Sequence, residues 1–264
     1  MHKKPRSLVV VAIAIAMFAI TMLCAGFKGI SEQLPVIQPE LAAVKSEVAS
    51  GEKFIPLLFG AGHVELRKHL IWHQVHQADT NFMLIVGDSI VEAMDMPSLA
   101  GLPVINAGIG GGGVLDVEEL IANIPADRPV KGLVIAIGVN DTPHGETPPD
   151  YFDKCSASLK RTLSKAKLLA GNQVTVSTII PVEKGKPMGD QNFDPEKINE
   201  INRRIRDIAK ETNTHLIEHD ASFANLTSAG TEYTTDGVHL NDAGYQVMKD
   251  SLRKAADENF AVAP

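Results

Sequence analysis

From about residue 55 onward, short β-branched runs alternate with longer amphipathic stretches, and nothing else in the sequence restricts the fold as much. Residues 82–86, 104–106, 133–137, 174–180 and 215–218 read as strands, and residues 114–124, 151–169, 195–212 and 242–258 as helices. Strands that lack a polar face, each followed by a helix of ten or more residues, are the pattern of a parallel sheet covered on both sides. The expected fold class is therefore α/β: a three-layer α/β/α sandwich on a central parallel five-stranded sheet, forming one domain over residues 55–264. The stretch 195–212 shows the reasoning. Ile198, Ile201, Ile205 and Ile208 recur at spacings of three and four, Arg203, Arg204 and Asp207 lie elsewhere around the helix, and Asp194 and Pro195 stand at the N-cap and first helical positions.

The N-terminal part follows another pattern. Residues 7–27 form a run of 21 without a charge, preceded by Lys3, Lys4 and Arg6 and followed by Lys28. About 20 apolar residues span a bilayer as a helix, and the more basic flank comes first, which predicts an N-terminus in the cytoplasm and a translocated body. A transmembrane helix through residues 8–27 is favoured over a secretory signal peptide. Signal cores are shorter, about 7–15 residues, and Cys24-Ala25-Gly26 is a poor cleavage site. Residues 1–28 thus read as a membrane anchor, with secretion after cleavage as the alternative. Residues 29–54, with Pro35 and Pro39 and few large apolar side chains, read as a stalk.

Charge narrows the function classes. The first 28 residues carry four basic groups and no acid, so the chain's 25 Lys+Arg and 32 Asp+Glu become 21 and 32 in the rest, a net of -11. An acidic body with 5% aromatic residues lacks the basic, ring-bearing surface of a nucleic-acid binder. The same charge leaves the apolar segment, not the body, as the means of membrane attachment. Cys24 and Cys155 are the only cysteines, so the body has no intramolecular disulfide and relies on its own core.

In open parallel sheets the ligand lies beyond the carboxyl ends of the strands. The first strand runs into Gly87-Asp88-Ser89, the second into Asn106-Ala107-Gly108 and the third into Gly138-Val139-Asn140-Asp141; Thr235-Asp236-Gly237-Val238-His239 stands just before the last helix. A serine nucleophile needs a base, the base an orienting carboxylate, and an acyl oxyanion hydrogen-bond donors. Ser89, His239 and Asp236 suit the first three roles. The Ser89 and Gly108 backbone N–H groups and the Asn140 amide suit the last.

These four segments resemble the conserved blocks of the SGNH hydrolases, the GDSL esterase/lipase superfamily. That family supplies Ser from a G-D-S block, Gly from N-x-G, Asn from G-x-N-D, and Asp and His from D-x-x-H, here matched by Ser89, Gly108, Asn140, Asp236 and His239 in order. The resemblance implies a three-layer, flavodoxin-like α/β/α fold and acyl hydrolysis by a Ser-His-Asp triad. Two departures flank the pocket: Ile90 stands at the fourth position of the G-D-S-L block, and Val91-Glu92-Ala93 replaces the frequent Thr-Glu-Gly.

The resulting expectation is a serine esterase working outside the cytoplasm, periplasmic or extracellular, on short acyl groups of carbohydrate or lipid esters. It needs no metal and no organic cofactor. Residues 183–192 are polar, which favours short acyl groups over long chains. An O-acyltransferase of envelope polysaccharide and a catalytically inactive glycan-binding module are the alternatives.

Several features have plainer readings. Gly108 to Gly113 match G-x-G-x-x-G, yet the motif follows the second strand and Asp127 precedes the third, which argues against a dinucleotide site. His69, His73 and His76 share a helical face, and His215 and His219 a strand face, without the glutamate or cysteine that completes a common zinc motif. Asp88 and Asp141 are expected to hold loops, and His144 to be a solvated loop residue.

Overall fold

The computed structural model describes residues 61–260, so the anchor at residues 1–28, the stalk at 29–54 and the start of the domain at 55 lie outside the described residues. Among the described residues no helix is long and apolar enough to cross a membrane. The elements run α1 (Ala61–Gln77), β1 (Phe82–Gly87), α2 (Ser89–Glu92), β2 (Ser98–Leu99), β3 (Leu102–Gly108), α3 (Val114–Ala122), β4 (Val130–Ala136), a 3-10 turn (Val139–Asp141) and α4 (Tyr151–Ala170). β5 (Val174–Ser177), α5 (Pro187–Asn192), α6 (Pro195–Glu211), β6 (His215–Ile217), α7 (His219–Ser228) and α8 (Asp242–Asn259) follow.

The strands lie in the order β2-β3-β1-β4-β5-β6. All neighbours from β3 to β6 are parallel, while β2 pairs antiparallel with β3. The five expected strands are thus present, and the expected all-parallel sheet is corrected to a mixed one of six strands. Its extra edge strand arises from a tight hairpin: Ala100 and Gly101 take φ 51° and 75°, the paired positive angles of a two-residue reversal. Two residues of strand leave too short a pattern for sequence periodicity to register.

Alternate residues of the central strands feed two cores. Leu84, Val86, Leu133, Ile135, Val174 and Val176 pack with Ile71 of α1, Val117 and Ile121 of α3, Leu163 of α4 and Ile205 of α6. Met83, Ile85, Val134 and Ile217 pack on the opposite face with Val91 of α2, Phe223 of α7 and Met248 and Leu252 of α8. Three layers result because each buried strand offers apolar side chains to both sides.

Other expectations shift in physically interpretable ways. β5 ends at Ser177 instead of residue 180, because the buried Asn202 side chain accepts the Ile179 N–H at 2.7 Å and donates to its carbonyl at 3.2 Å. A side chain there replaces the neighbouring strand as partner. α7 begins at His219, so His215 and His219 do not share a strand face. α1 places Ile71 and Val75 in the core but leaves Leu66, Leu70 and Trp72 exposed, which blurs the apolar stripe that would have marked it as an amphipathic helix. Asp194 caps α6 through the Glu196 N–H, with Pro195 at the first turn, as expected.

Candidate active site

The strand order reverses at β1, whose neighbours β3 and β4 lie on either side. The crevice at such a switch point collects the loops that leave the carboxyl ends of adjacent strands. Ser89 follows β1, the glycine-rich loop follows β3, and the turn Val139–Asp141 follows β4. Asp236 and His239 come from the loop before α8, whose N-cap Asn241 accepts the Gly244 N–H.

A continuous hydrogen-bonded chain joins three of the expected residues. Ser89 Oγ lies 3.0 Å from His239 Nε2, and His239 Nδ1 lies 2.7 Å from Asp236 Oδ2. The carboxylate selects the tautomer with hydrogen on Nδ1, leaving Nε2 to accept from the serine hydroxyl. Asp236 Oδ1 also accepts the Val238 N–H at 3.0 Å and the His239 N–H at 2.8 Å, so one side chain folds the loop and orients the ring. Burial pushes the Asp236 carboxyl up, but the hydrogen bonds from the His239 ring and from the two backbone N–H groups outweigh it and hold the group below the ordinary carboxylate range.

Ser89 is not the cap of its own helix. Asp88 is the N-cap of α2, its Oδ1 accepting the Ile90 N–H at 2.9 Å. The Ser89 hydroxyl is thereby left to His239, and the Ser89 N–H has no acceptor among the described residues. Tyr245 of α8 donates its hydroxyl to the Ile90 carbonyl at 2.9 Å, holding the helix from behind.

Gly108 departs from the expected arrangement. Its N–H donates to Asn106 Oδ1 at 2.9 Å, while the Asn106 amide donates to the carbonyls of Val91 and Met94. Glycine is required there by packing, since a Cβ would stand 2.0 Å from Glu92 N and 2.5 Å from Glu92 Cα. The next N–H groups are occupied as well: Ile109 by Gly87 O, Gly110 by Glu92 Oε2, Gly112 by Ile109 O, Gly113 by Asp116 Oδ2 and Val114 by both Asp141 oxygens. Among the described residues only Gly111 in this loop keeps an N–H without an acceptor. It is exposed and has φ 75°, the third position of a turn closed by Gly112 N–H to Ile109 O at 2.9 Å. Such a turn turns the Gly111 N–H away from the loop's own carbonyls and needs glycine for the positive angle.

Asn140 is exposed, and one hydrogen of its amide goes to Gly112 O at 2.9 Å, which keeps the second available and fixes the side chain against the same loop. Asp141 holds the turn to the start of α3, as expected of it. Lys197 donates to the carbonyls of Pro143 and Gly145, bracing the following loop, where His144 is exposed.

Residues 183–192 lie against the His239 loop: Met188 N–H reaches Asp236 O and Glu183 N–H reaches Gly237 O, both at 2.9 Å. The Glu183 carboxylate accepts the Thr234 hydroxyl and N–H and the Tyr233 N–H, and pairs with Lys186 at 3.0 Å. The sequence marks residues 183–192 only as polar and gives no sign of this clamp. Among the described residues no group of three His, Cys, Asp or Glu side chains is arranged to hold a metal ion.

Two carboxyls near the site are shifted by desolvation: Asp88, which is buried next to the nucleophile, and the half-buried Asp141. Burial pushes Asp88 up to about 7, with the nearby Asp141 charge adding to the effect and the Ile90 N–H opposing it. Burial likewise pushes Asp141 up to about 6, opposed by the Val114 N–H. In the unfolded chain Asp88 loses its proton near 3.8, so between that pH and about 7 the folded state holds more protons and stability falls as pH rises. Asp88→Asn keeps an oxygen for the Ile90 N–H and removes this group's slope. Urea unfolding is expected to show the variant gaining on the wild type from pH 5 to pH 8; an unchanged difference would show Asp88 ionised throughout.

A flavodoxin-like sheet carrying a Ser-His-Asp chain at its switch point places the protein among α/β proteins built like serine hydrolases. Residues 85–247 match the model of the GDSL-like Lipase/Acylhydrolase family, and the chain belongs to that family. Solved structures with the same fold include one from Streptococcus pneumonia whose name refers to platelet activating factor, at 24% identity and TM-score 0.64 over 78% of this chain and 98% of that one. A lipase/acylhydrolase from Enterococcus faecalis is similar at 16% identity and TM-score 0.58, over 70% of this chain and 100% of the other. An acetylxylan esterase from Geobacillus stearothermophilus is similar at 20% identity and TM-score 0.53, over 70% and 95%. No curated protein sequence matches the chain at a significant level.

Proposed function

We propose that the chain is a serine esterase that removes short acyl groups from carbohydrate esters through an acyl-enzyme. Ser89 Oγ attacks the ester carbonyl as His239 Nε2 takes its proton, and Asp236 stabilises the imidazolium. The oxyanion receives the N–H groups of Ser89 and Gly111 and the free amide hydrogen of Asn140, with Gly111 taking the role first expected of Gly108. His239 then returns its proton to the leaving alcohol, activates water and restores Ser89. None of these steps calls for a metal or an organic cofactor.

The observation that carries this reading is the chain of 3.0 Å and 2.7 Å contacts from Ser89 through His239 to Asp236. The preference for short acyl groups on carbohydrate rests on the polar segment 183–192 beside the His239 loop, and is in keeping with the acetylxylan esterase of similar fold. Work outside the cytoplasm, with the chain held to the membrane by residues 8–27, rests on the apolar run and its basic flank. Incubation with an acetylated xylo-oligosaccharide, with and without an unacetylated acceptor, tests the reaction. Acetate release that does not depend on the acceptor is expected. Acetylated acceptor with no appreciable acetate would replace hydrolysis by acyl transfer.

A further inference from the structure

The loop that presents the Gly111 N–H is held from one side by a single carboxylate. Glu92 ends α2, three residues after Ser89, and its Oε2 accepts the Gly110 N–H. The same oxygen lies 2.9 Å from His63 Nε2, and Oε1 lies 3.4 Å from Arg67 Nε. Arg67 also donates to the carbonyls of Gly108 at 2.9 Å and Asn106 at 3.0 Å. His63 and Arg67 belong to α1, upstream of the residues matched by the family model.

Resting on the esterase reading above, we propose that Glu92, braced by Arg67, is a positioning residue for the oxyanion loop. Ser89 and Glu92 sit within one turn of one short helix, so a bond from Glu92 to Gly110 sets the distance between the nucleophile and the loop. The peptide unit between Gly110 and Gly111 carries the free N–H. Fixing Gly110 at its own N–H therefore limits rotation of the next peptide plane, which aims the donor at the place where the acyl oxygen gathers charge. A bare carboxylate so close to a developing oxyanion would oppose the reaction, and the Arg67 guanidinium offsets that charge while binding the same loop's carbonyls. α1 thus contributes to the site without touching substrate.

The test compares Glu92→Ala with Glu92→Gln, which keeps an oxygen able to accept the Gly110 N–H. For Glu92→Ala, kcat is expected to fall about 10- to 100-fold with KM within about threefold. Affinity for a phenylboronate, whose tetrahedral adduct on Ser89 places an oxygen among the donors, is expected to fall in step with kcat. Glu92→Gln is expected to stay within about fivefold of the wild type. A folded Glu92→Ala with wild-type kcat, a loss confined to KM, or a Gln variant as impaired as Ala would each overturn the proposal. Should Glu92→Ala not fold, Arg67→Met decides: a fall in kcat of about tenfold supports the brace, and unchanged kcat overturns it. Phosphonate labelling of wild-type Ser89 separates the two levels, because its absence would defeat the esterase reading itself, whereas a labelled enzyme with an unimpaired Glu92→Ala defeats only the positioning role.

Discussion

Ser89→Ala is expected to lower kcat by about 10⁵- to 10⁶-fold, since removing the nucleophile of such a triad leaves only binding and oxyanion donors. The fold should be unaffected. Asp88, not Ser89, caps α2 through the Ile90 N–H, and the Ser89 hydroxyl bonds to His239 alone among the described residues. An unfolding free energy within about 0.5 kcal/mol of the wild type is expected, as for substitutions that leave no buried group unpaired. Steady-state acetate release together with urea unfolding checks both halves. A cellular effect that survives Ser89→Ala intact would favour a glycan-binding module over an enzyme.

Asp236→Asn is expected to cost about 10⁴-fold in kcat with little change in stability. The amide oxygen can still accept the Val238 and His239 N–H groups that Oδ1 now holds, so the loop keeps its shape. The amide nitrogen, however, would donate to His239 Nδ1, forcing the ring hydrogen onto Nε2, where it meets Ser89 Oγ. The serine then has no base. A variant with near wild-type kcat would show that the 2.7 Å contact between His239 and Asp236 orders the loop without setting the tautomer.

How much of this was readable from the chain depended on the range over which each feature is encoded. The five parallel strands and the Ser89–His239–Asp236 set follow from local signals, because each functional residue sits directly after a β-branched run or before a helix start. The oxyanion loop does not. Gly110, Gly111, Gly112 and Gly113 are equivalent in sequence; Ile109 O and Asp116 take the Gly112 and Gly113 N–H groups locally, and it is Glu92, brought up from α2, that takes Gly110 and leaves Gly111 free. Gly108 stands in sequence as an oxyanion donor, whereas its N–H is taken by Asn106 and its lack of a side chain serves the packing of β3 on α2. The Glu183 clamp was hidden for the same reason, since its partners Tyr233 and Thr234 lie about fifty residues away. α1 was obscured by its exposed Leu66, Leu70 and Trp72.

The most direct measurement is covalent labelling with a serine-directed fluorophosphonate followed by mass spectrometry of the digested protein. One adduct is expected, on the peptide that contains Ser89, and it should disappear in Ser89→Ala. An adduct at any other residue, or none on protein that still releases acetate, would contradict Ser89 as the nucleophile.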